Sequence, residues 1–343
     1  LKDLQQGALS FGPNNAVPVR SFFLNVDRQL RAAFQSFQMA RLLLFPSQRS
    51  FAPCRAALFL QKWFQMLQPN DQRLFAVILG TNEIASAIGI RLVRAGYGVV
   101  LSHDPDPPVI RRKMAFHDAL FTDTAQLEDI VAERADDGMQ VYQALRGPVR
   151  ILVTWLGLLD LLPVRQIDLL VDARLQKRRI TPDLRRLARL TIGLGPGFSS
   201  NFNCDLAVET RPGRIGLVSD QRWTDAADGV ASTLGDIGAE RFVYSRFAGR
   251  WHTPIEIGTR VYRDLVLGHL SGVPVLAPRD GILRGIARDG SEVPAGVKLL
   301  EIDPRGRDAQ WSGTDQRGRA IANATVAAVR LHAARRITQR NPA

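Results

Sequence analysis

Three short segments carry the side chains best suited to holding an anion. The first is Ile110-Arg111-Arg112-Lys113, just after the proline-rich turn Asp104-Pro105-Asp106-Pro107-Pro108. Adjacent guanidinium groups offer planar forks of donors that match a phosphate or carboxylate. The second is Asp172-Ala173-Arg174, followed by Lys177. The third is Gly193-Leu194-Gly195-Pro196-Gly197-Phe198, where glycines permit a tight turn and close approach of the backbone to a ligand. A fourth segment, Gly80-Thr81-Asn82-Glu83-Ile84-Ala85, stands where a dinucleotide fingerprint would lie. That fingerprint wants G-x-G-x-x-G, with a second glycine against the pyrophosphate. Asn82 occupies that position, and the Glu83 carboxylate beside the helix start repels phosphate and competes for the same amides. Asp104, 24 residues after Gly80, is placed to take a ribose hydroxyl.

Each segment also has a plainer structural explanation. Arg111 and Arg112 suit surface ion pairs, Asp172 with Arg174 suits a buried pair, and Lys177 suits a solvated helix face. The glycines suit a tight turn. Patterns for a serine nucleophile elbow, a zinc protease helix or a phosphate-binding P-loop are absent, so no nucleophile or general base is named. His103 and His117 read as hydrogen-bonded structure, not as metal ligands. Cys54 and Cys204 are far apart, which gives neither a disulfide framework nor a zinc site and fits a reducing cytoplasm.

The elements that must position these segments are legible in the hydrophobic pattern. Residues 74–79 form a continuous apolar run ended by Gly80, as expected of a strand buried on both faces. Residues 84–95 read as a helix stopped by Gly96, and residues 99–101 as a second strand. Further strands are expected at 150–155, 167–171 and Leu190–Leu194. This order predicts an α/β protein with a Rossmann-like, doubly wound parallel sheet over residues 71–215. The strand ends then bring the basic and glycine segments to one edge. Residues 110–113 are expected to open a helix, and residues 232–234 a short one.

Residues 273–305 have a different rhythm. Ala277, Pro278 and Gly281, followed by Val293, Gly296, Leu299 and Leu300, resemble one half of a lipoyl- or biotinyl-type barrel sandwich. Ile257, Gly258, Val261 and Leu265 are spaced as its other half, with a hairpin at 268–273 between them. A carrier domain needs a lysine at that tip, and none is there. The region 216–310 is therefore expected to be a barrel-sandwich module without a swinging cofactor. Residues 311–343 should form a C-terminal helix, with Ile321, Thr325, Ala328 and His332 at helical spacing, packed back on the first sheet.

The chain has 343 residues and a formal net charge of +12. Half of that excess lies in residues 1–65, which hold eight Lys or Arg, two Asp and nine of the sixteen phenylalanines. An even basic surface for nucleic acid is therefore not expected. Residues 1–70 read as a helical extension, with Val26, Leu30, Phe34 and Phe37 on one face and Leu60, Trp63, Phe64 and Leu67 on another. Met66 is an alternative natural start. No apolar run reaches the ~20 residues of a membrane span.

Taken in order, the Gly80 helix, IRRKMAF, LLVDARLQKR, IGLGPGF, DLAVET and the VPVLAPRDGILRGIARDG to EIDPRG stretch resemble the accessory proteins of the selenium-dependent molybdenum hydroxylase system, neighbours of the xanthine dehydrogenase maturation factors. The resemblance covers roughly residues 74–335. It implies a Rossmann-like domain joined to a barrel-sandwich module, acting in the maturation of a molybdenum hydroxylase or another metalloenzyme. The implied ligand is a nucleotide, NAD(P) among them, or the molybdenum pterin cofactor. The first loop departs from the family's Gly-Ala-Gly-Asp pattern, and Lys113 replaces the threonine of an Arg-Arg-Thr triplet. An NAD(P)-dependent oxidoreductase and a structural subunit of a larger complex remain open as alternatives, as does homo-oligomer formation.

Overall fold

The run Phe75-Ala76-Val77-Ile78-Leu79 forms strand β1 (Phe75–Leu79), buried on both faces as a continuous apolar segment requires. The structure, a computed structural model, describes residues 73–176, 181–219 and 223–340. The expectations for residues 1–70 and for Lys177 lie outside the described residues.

From β1 the chain enters helix α1 (Glu83–Arg94) and returns as β2 (Gly98–Ser102), parallel to β1 with Val77 opposite Val100. A hairpin of β3 (Thr124–Leu127) and β4 (Ile130–Arg134) follows, then β5 (Ile151–Thr154), β6 (Leu169–Asp172), β7 (Leu190–Leu194), β8 (Leu206–Val208) and β9 (Val218–Ser219). Among the described residues these strands make one nine-stranded sheet, ordered β3-β4-β5-β2-β1-β6-β7-β8-β9. All pairings are parallel except β3–β4 and β8–β9 at the two edges. The β8–β9 hairpin carries this sheet past residue 215.

Alternation along β1 divides the interior. Ala76 and Ile78 face a core shared with Ile84, Ile88 and Leu92 of α1, while Phe75, Val77 and Leu79 face a second core. That second core also holds Val141 and Leu145 of α3 (Gly138–Leu145) and Leu161 of α4 (Leu158–Leu161), after the single turn α2 (Ala119–Thr122). The last helix, α5 (Gln316–Arg340), buries Ile321, Thr325 and Ala328 against α1, as their spacing predicts, and leaves His332 half-buried.

Residues 242–303 form two four-stranded antiparallel sheets, β10-β17-β15-β12 and β14-β13-β11-β16. Their strands are β10 (Phe242–Tyr244), β11 (Gly249–His252), β12 (Arg260–Val261), β13 (Val266–Leu270), β14 (Val273–Leu276), β15 (Gly281–Ile286), β16 (Glu292–Val293) and β17 (Lys298–Asp303). Trp251, Leu267, Leu270 and Val293 from one sheet share a core with Leu283, Ile286, Leu300 and Ile302 from the other. The β13–β14 hairpin turns through Ser271 (φ 46°) and Gly272 (φ 84°), the left-handed pair that a two-residue hairpin needs.

Two local expectations are corrected. Residues 110–113 do not open an α-helix: the Ile110 carbonyl accepts from Ile286 N of β15 at 2.8 Å, and only a 3-10 turn at Arg112–Met114 follows. Residues 232–234 do not begin a helix either. Leu234 and Ile237 exchange backbone hydrogen bonds around Gly235 (φ 54°) and Asp236 (φ 62°), and two left-handed residues in a row cannot continue a right-handed helix.

Candidate functional site

Strands β1, β2, β5, β6 and β7 all end at one edge of the large sheet, so the loops that follow them define the place to look for chemistry. After β1, Gly80 turns at φ 109° and donates its N–H to the Ser102 carbonyl at 2.7 Å. A Cβ there would lie 3.1 Å from the Ala173 carbonyl oxygen, so the β1 and β6 loops touch through bare backbone. Asn82 caps α1. Its Oδ1 accepts from Ile84 N at 2.9 Å and Ala85 N at 3.0 Å, and its Nδ2 donates to the Ala173 carbonyl at 2.7 Å. The helix-start amides that a pyrophosphate would use are thus held by a side chain.

The arginines have carboxylate partners as well. Arg111 donates Nη1 to Glu83 Oε1 at 2.7 Å and Nε to Glu301 Oε2 at 2.6 Å. Burial opposes its charge, yet Glu301 and Glu83 hold its pKa above the ordinary guanidinium value. Arg112 pairs with Asp118 at 2.8 Å and donates to the Ile286 carbonyl. Arg174 grips Asp172, with Nη2 to Oδ2 at 2.6 Å, and extends Nη1 to Asp104 Oδ2 at 3.4 Å. Asp104 also accepts from Gln176 Nε2 at 3.0 Å and holds the backbone N–H of Asp106. The structure therefore gathers Gly80, Asn82, Asp104, Asp172 and Arg174 at one rim. Arg111 joins them through Glu83, and each guanidinium is neutralised where it stands.

Glu301 is the centre of the charged layer between β17 and the first sheet. Fully buried, it also accepts from Arg241 Nε at 3.0 Å, while Arg284 beside it reaches Asp315 at 2.7 Å. Burial pushes the Glu301 carboxyl up, but Arg111, Arg284 and Arg241 together hold it down to about 2.

In the third segment the glycines serve packing and turns. A Cβ on Gly193 would fall 2.1 Å from the Phe198 ring, and one on Gly195 (φ 79°) 2.8 Å from Thr210 Oγ1. Gly197 (φ 88°) is exposed, and its carbonyl accepts from Thr181 Oγ1 at 2.6 Å and Asn203 Nδ2 at 2.8 Å. Nearby Cys204 is buried, which pushes its thiol up to about 12 and leaves it unreactive.

One constellation escaped the sequence reading of single histidines. Thr81, buried in the β1 loop, places Oγ1 3.2 Å from His103 Nδ1 and 2.9 Å from His117 Nδ1. His103 follows β2, and Trp155 follows β5. The His103 ring meets Trp155 edge-on at 4.8 Å, His117 meets Phe121 at 5.6 Å, and Phe121 meets Trp155 at 5.4 Å. Burial, then the charges of His103, Arg112 and Arg288, push His117 down to about 3, and burial lowers His103 too. Both rings are neutral near pH 7. The sequence pattern marks His103 and His117 only as hydrogen-bonded structure and Trp155 as the last residue of an expected strand; their meeting around Thr81 is a product of the fold.

Among the described residues no group of three or more His, Cys, Asp or Glu side chains could hold a metal ion, and no helix is long and apolar enough to cross a membrane. No family model matches the chain, and no solved structure matches it. It is similar to the uncharacterized protein YqeB of Escherichia coli (strain K12), 30% identical over 266 residues, which is 77% of this chain and 48% of that protein. The chain thus spans about half the length of the curated relative it matches.

Proposed function

We propose that this chain is a cytoplasmic accessory factor in the maturation of a molybdenum-containing hydroxylase. A Rossmann-like sheet holds a small anionic ligand, a nucleotide or a pterin phosphate, at its C-terminal edge. A barrel-sandwich module without a carrier lysine docks on the target enzyme. The collinear motifs from IRRKMAF to EIDPRG support the assignment to this system. The observation that carries the ligand half is the reversal of strand order at β1, with β2 and β5 on one side and β6, β7 and β8 on the other. In open α/β sheets ligands bind outside the carboxyl ends of the strands at such a reversal. Because Arg111 and Arg112 are held by close carboxylates, the ligand's charge is met by the exposed Gly197 turn and by Arg174, which keeps Asp172 as its close partner while its longer bond to Asp104 yields.

Thermal unfolding of the full chain with NAD+, NADP+, GMP and a pterin phosphate tests this. A ligand at a hundredfold excess over its Kd stabilises by about 2.7 kcal/mol. Coexpression with a molybdenum hydroxylase should raise the active fraction of that enzyme. If no phosphate-bearing compound moves the transition and the hydroxylase matures equally well alone, the reading fails. A second reading, an NAD(P)-dependent oxidoreductase, is favoured by Asp104 at the end of β2 and opposed by Asn82 and Glu83 at the start of α1. It requires a shift by NAD+ or NADP+ that Asp104→Ala abolishes.

A further inference from the structure

The hydroxyl of Thr81 carries one proton and faces two imidazole Nδ1 atoms, at 3.2 Å and 2.9 Å. It donates to one ring only, so the other bond must run from an imidazole N–H to the hydroxyl oxygen. Two neutral histidines around one hydroxyl are therefore fixed in opposite tautomers. One ring presents a bare Nε2 acceptor, and the other presents an Nε2–H donor. Among the described residues neither Nε2 has a hydrogen-bond partner, yet neither is an enclosed unpaired atom, so each reaches solvent. Beside them Trp155 is 48% exposed and Phe121 42%; the two rings meet edge to face, and the Arg288 guanidinium lies 3.9 Å over the Phe121 face.

A buried polar core pairs its charged groups internally, as the arginine layer does through Glu83, Glu301 and Asp315. Here a matched donor and acceptor remain outward, next to two exposed aromatic rings, at the ends of β1, β2 and β5. We propose that Thr81, His103, His117 and Trp155 form the recognition subsite for a planar heteroaromatic ring with a lactam edge, an N–H beside a C=O. The bare Nε2 accepts the ring N–H, the Nε2–H donates to the ring carbonyl, and Trp155 stacks on the ring face. Guanine and pterin rings share this edge and adenine lacks it. The inference rests on the reading that this sheet edge holds a phosphate-bearing ligand, and it assigns the part of that ligand which carries no charge.

The experiment is calorimetric titration of the full chain with GMP, AMP, 6-hydroxymethylpterin and inorganic phosphate. GMP is expected to bind at least about tenfold more tightly than AMP, since a site built for a hydrogen-bonding edge discriminates strongly against its absence. Binding of 6-hydroxymethylpterin more tightly than GMP identifies a pterin as the source of the edge, and the reverse identifies guanine. Trp155→Ala, on an exposed side chain, should weaken GMP by about tenfold while leaving inorganic phosphate unaffected. Nitrogen-15 shifts of the histidines in the free protein should show one Nδ1–H and one Nε2–H ring, and Thr81→Val should abolish that pattern together with the preference for GMP. Equal binding of GMP and AMP overturns the lactam subsite while the anion reading stands. Absence of binding by every phosphate-bearing probe removes both, and two identical tautomers overturn the arrangement itself.

Discussion

Two polar clusters at the same end of the molecule behave in opposite ways. Around Glu301, the charged groups have internal partners: Arg111, Arg241 and Arg284 converge on carboxylates of β17, α1 and the residue before α5, in a layer whose centre at Glu301, Arg241 and Arg284 is closed to water. Around Thr81, two uncharged histidines are held by one hydroxyl and keep their outer nitrogens free among exposed aromatics. The first cluster has the composition of a ligand site and the geometry of a joint. The second has an unremarkable composition and the geometry of a receptor. Charge density in a sequence therefore says little about binding until the internal partners are counted, because a buried ion must be paired before it can be tolerated.

The contrast breaks most sharply at Glu301. Glu301→Ala leaves Arg111, Arg241 and Arg284 facing each other in a buried layer, and should cost about 3–5 kcal/mol of stability in denaturant unfolding. A loss below about 1 kcal/mol would mean that the layer is hydrated and the joint is not one. Gly193→Ala, which forces a methyl into the Phe198 ring, should cost about 1–3 kcal/mol by the same measurement. A smaller loss would show that the glycine loop has room to move, and with it room for a ligand.

Acid titration sharpens the other side. His117 is neutral when folded down to about pH 3 but takes a proton near pH 6.5 when unfolded, so between these values the unfolded state binds more protons. Stability should then fall as pH falls, by up to about 1.4 kcal/mol per pH unit from this group. His117→Asn should flatten that slope between pH 6 and 5, where Glu301 remains ionised in both states. Glu301 acts in the same direction at lower pH: its stabilising contribution is complete above the unfolded carboxyl value near 4.5 and is lost as pH falls toward about 2. An unchanged slope in the asparagine variant would mean that burial does not hold the folded His117 ring neutral. The smallest effect is expected from Trp155→Ala, which should alter stability by no more than about 1 kcal/mol, as suits a side chain half in solvent. A larger loss would make the aromatic group a structural element instead of a receptor wall.

Where apolar residues repeat with the period of one element, local sequence was sufficient. The runs at β1, α1, β2, β5, β6 and β7 lie within a residue or two of their expected places, and Leu190–Leu194 coincides. Burial on both faces leaves such strands little choice of composition. The β3–β4 hairpin was not legible, because an edge strand such as Thr124–Leu127, with mostly exposed side chains, carries no hydrophobic period. Asn82 stands where a glycine fingerprint wants its second glycine, and in the fold its side chain caps α1 instead.

The sequence by itself determined the mostly parallel sheet, the β-rich region after it, the glycine turns and the C-terminal helix, since each depends on contacts whose pattern is written locally in hydrophobicity and backbone permissiveness. Only the tertiary structure decided which charges would be paired. Arg111 and Glu301 are 190 residues apart, and Thr81 meets His117 across 36, distances over which no local period operates. Whether a polar side chain is a strut or a binding group depends on what the fold brings within 3 Å of it, and that is settled by the packing of distant elements.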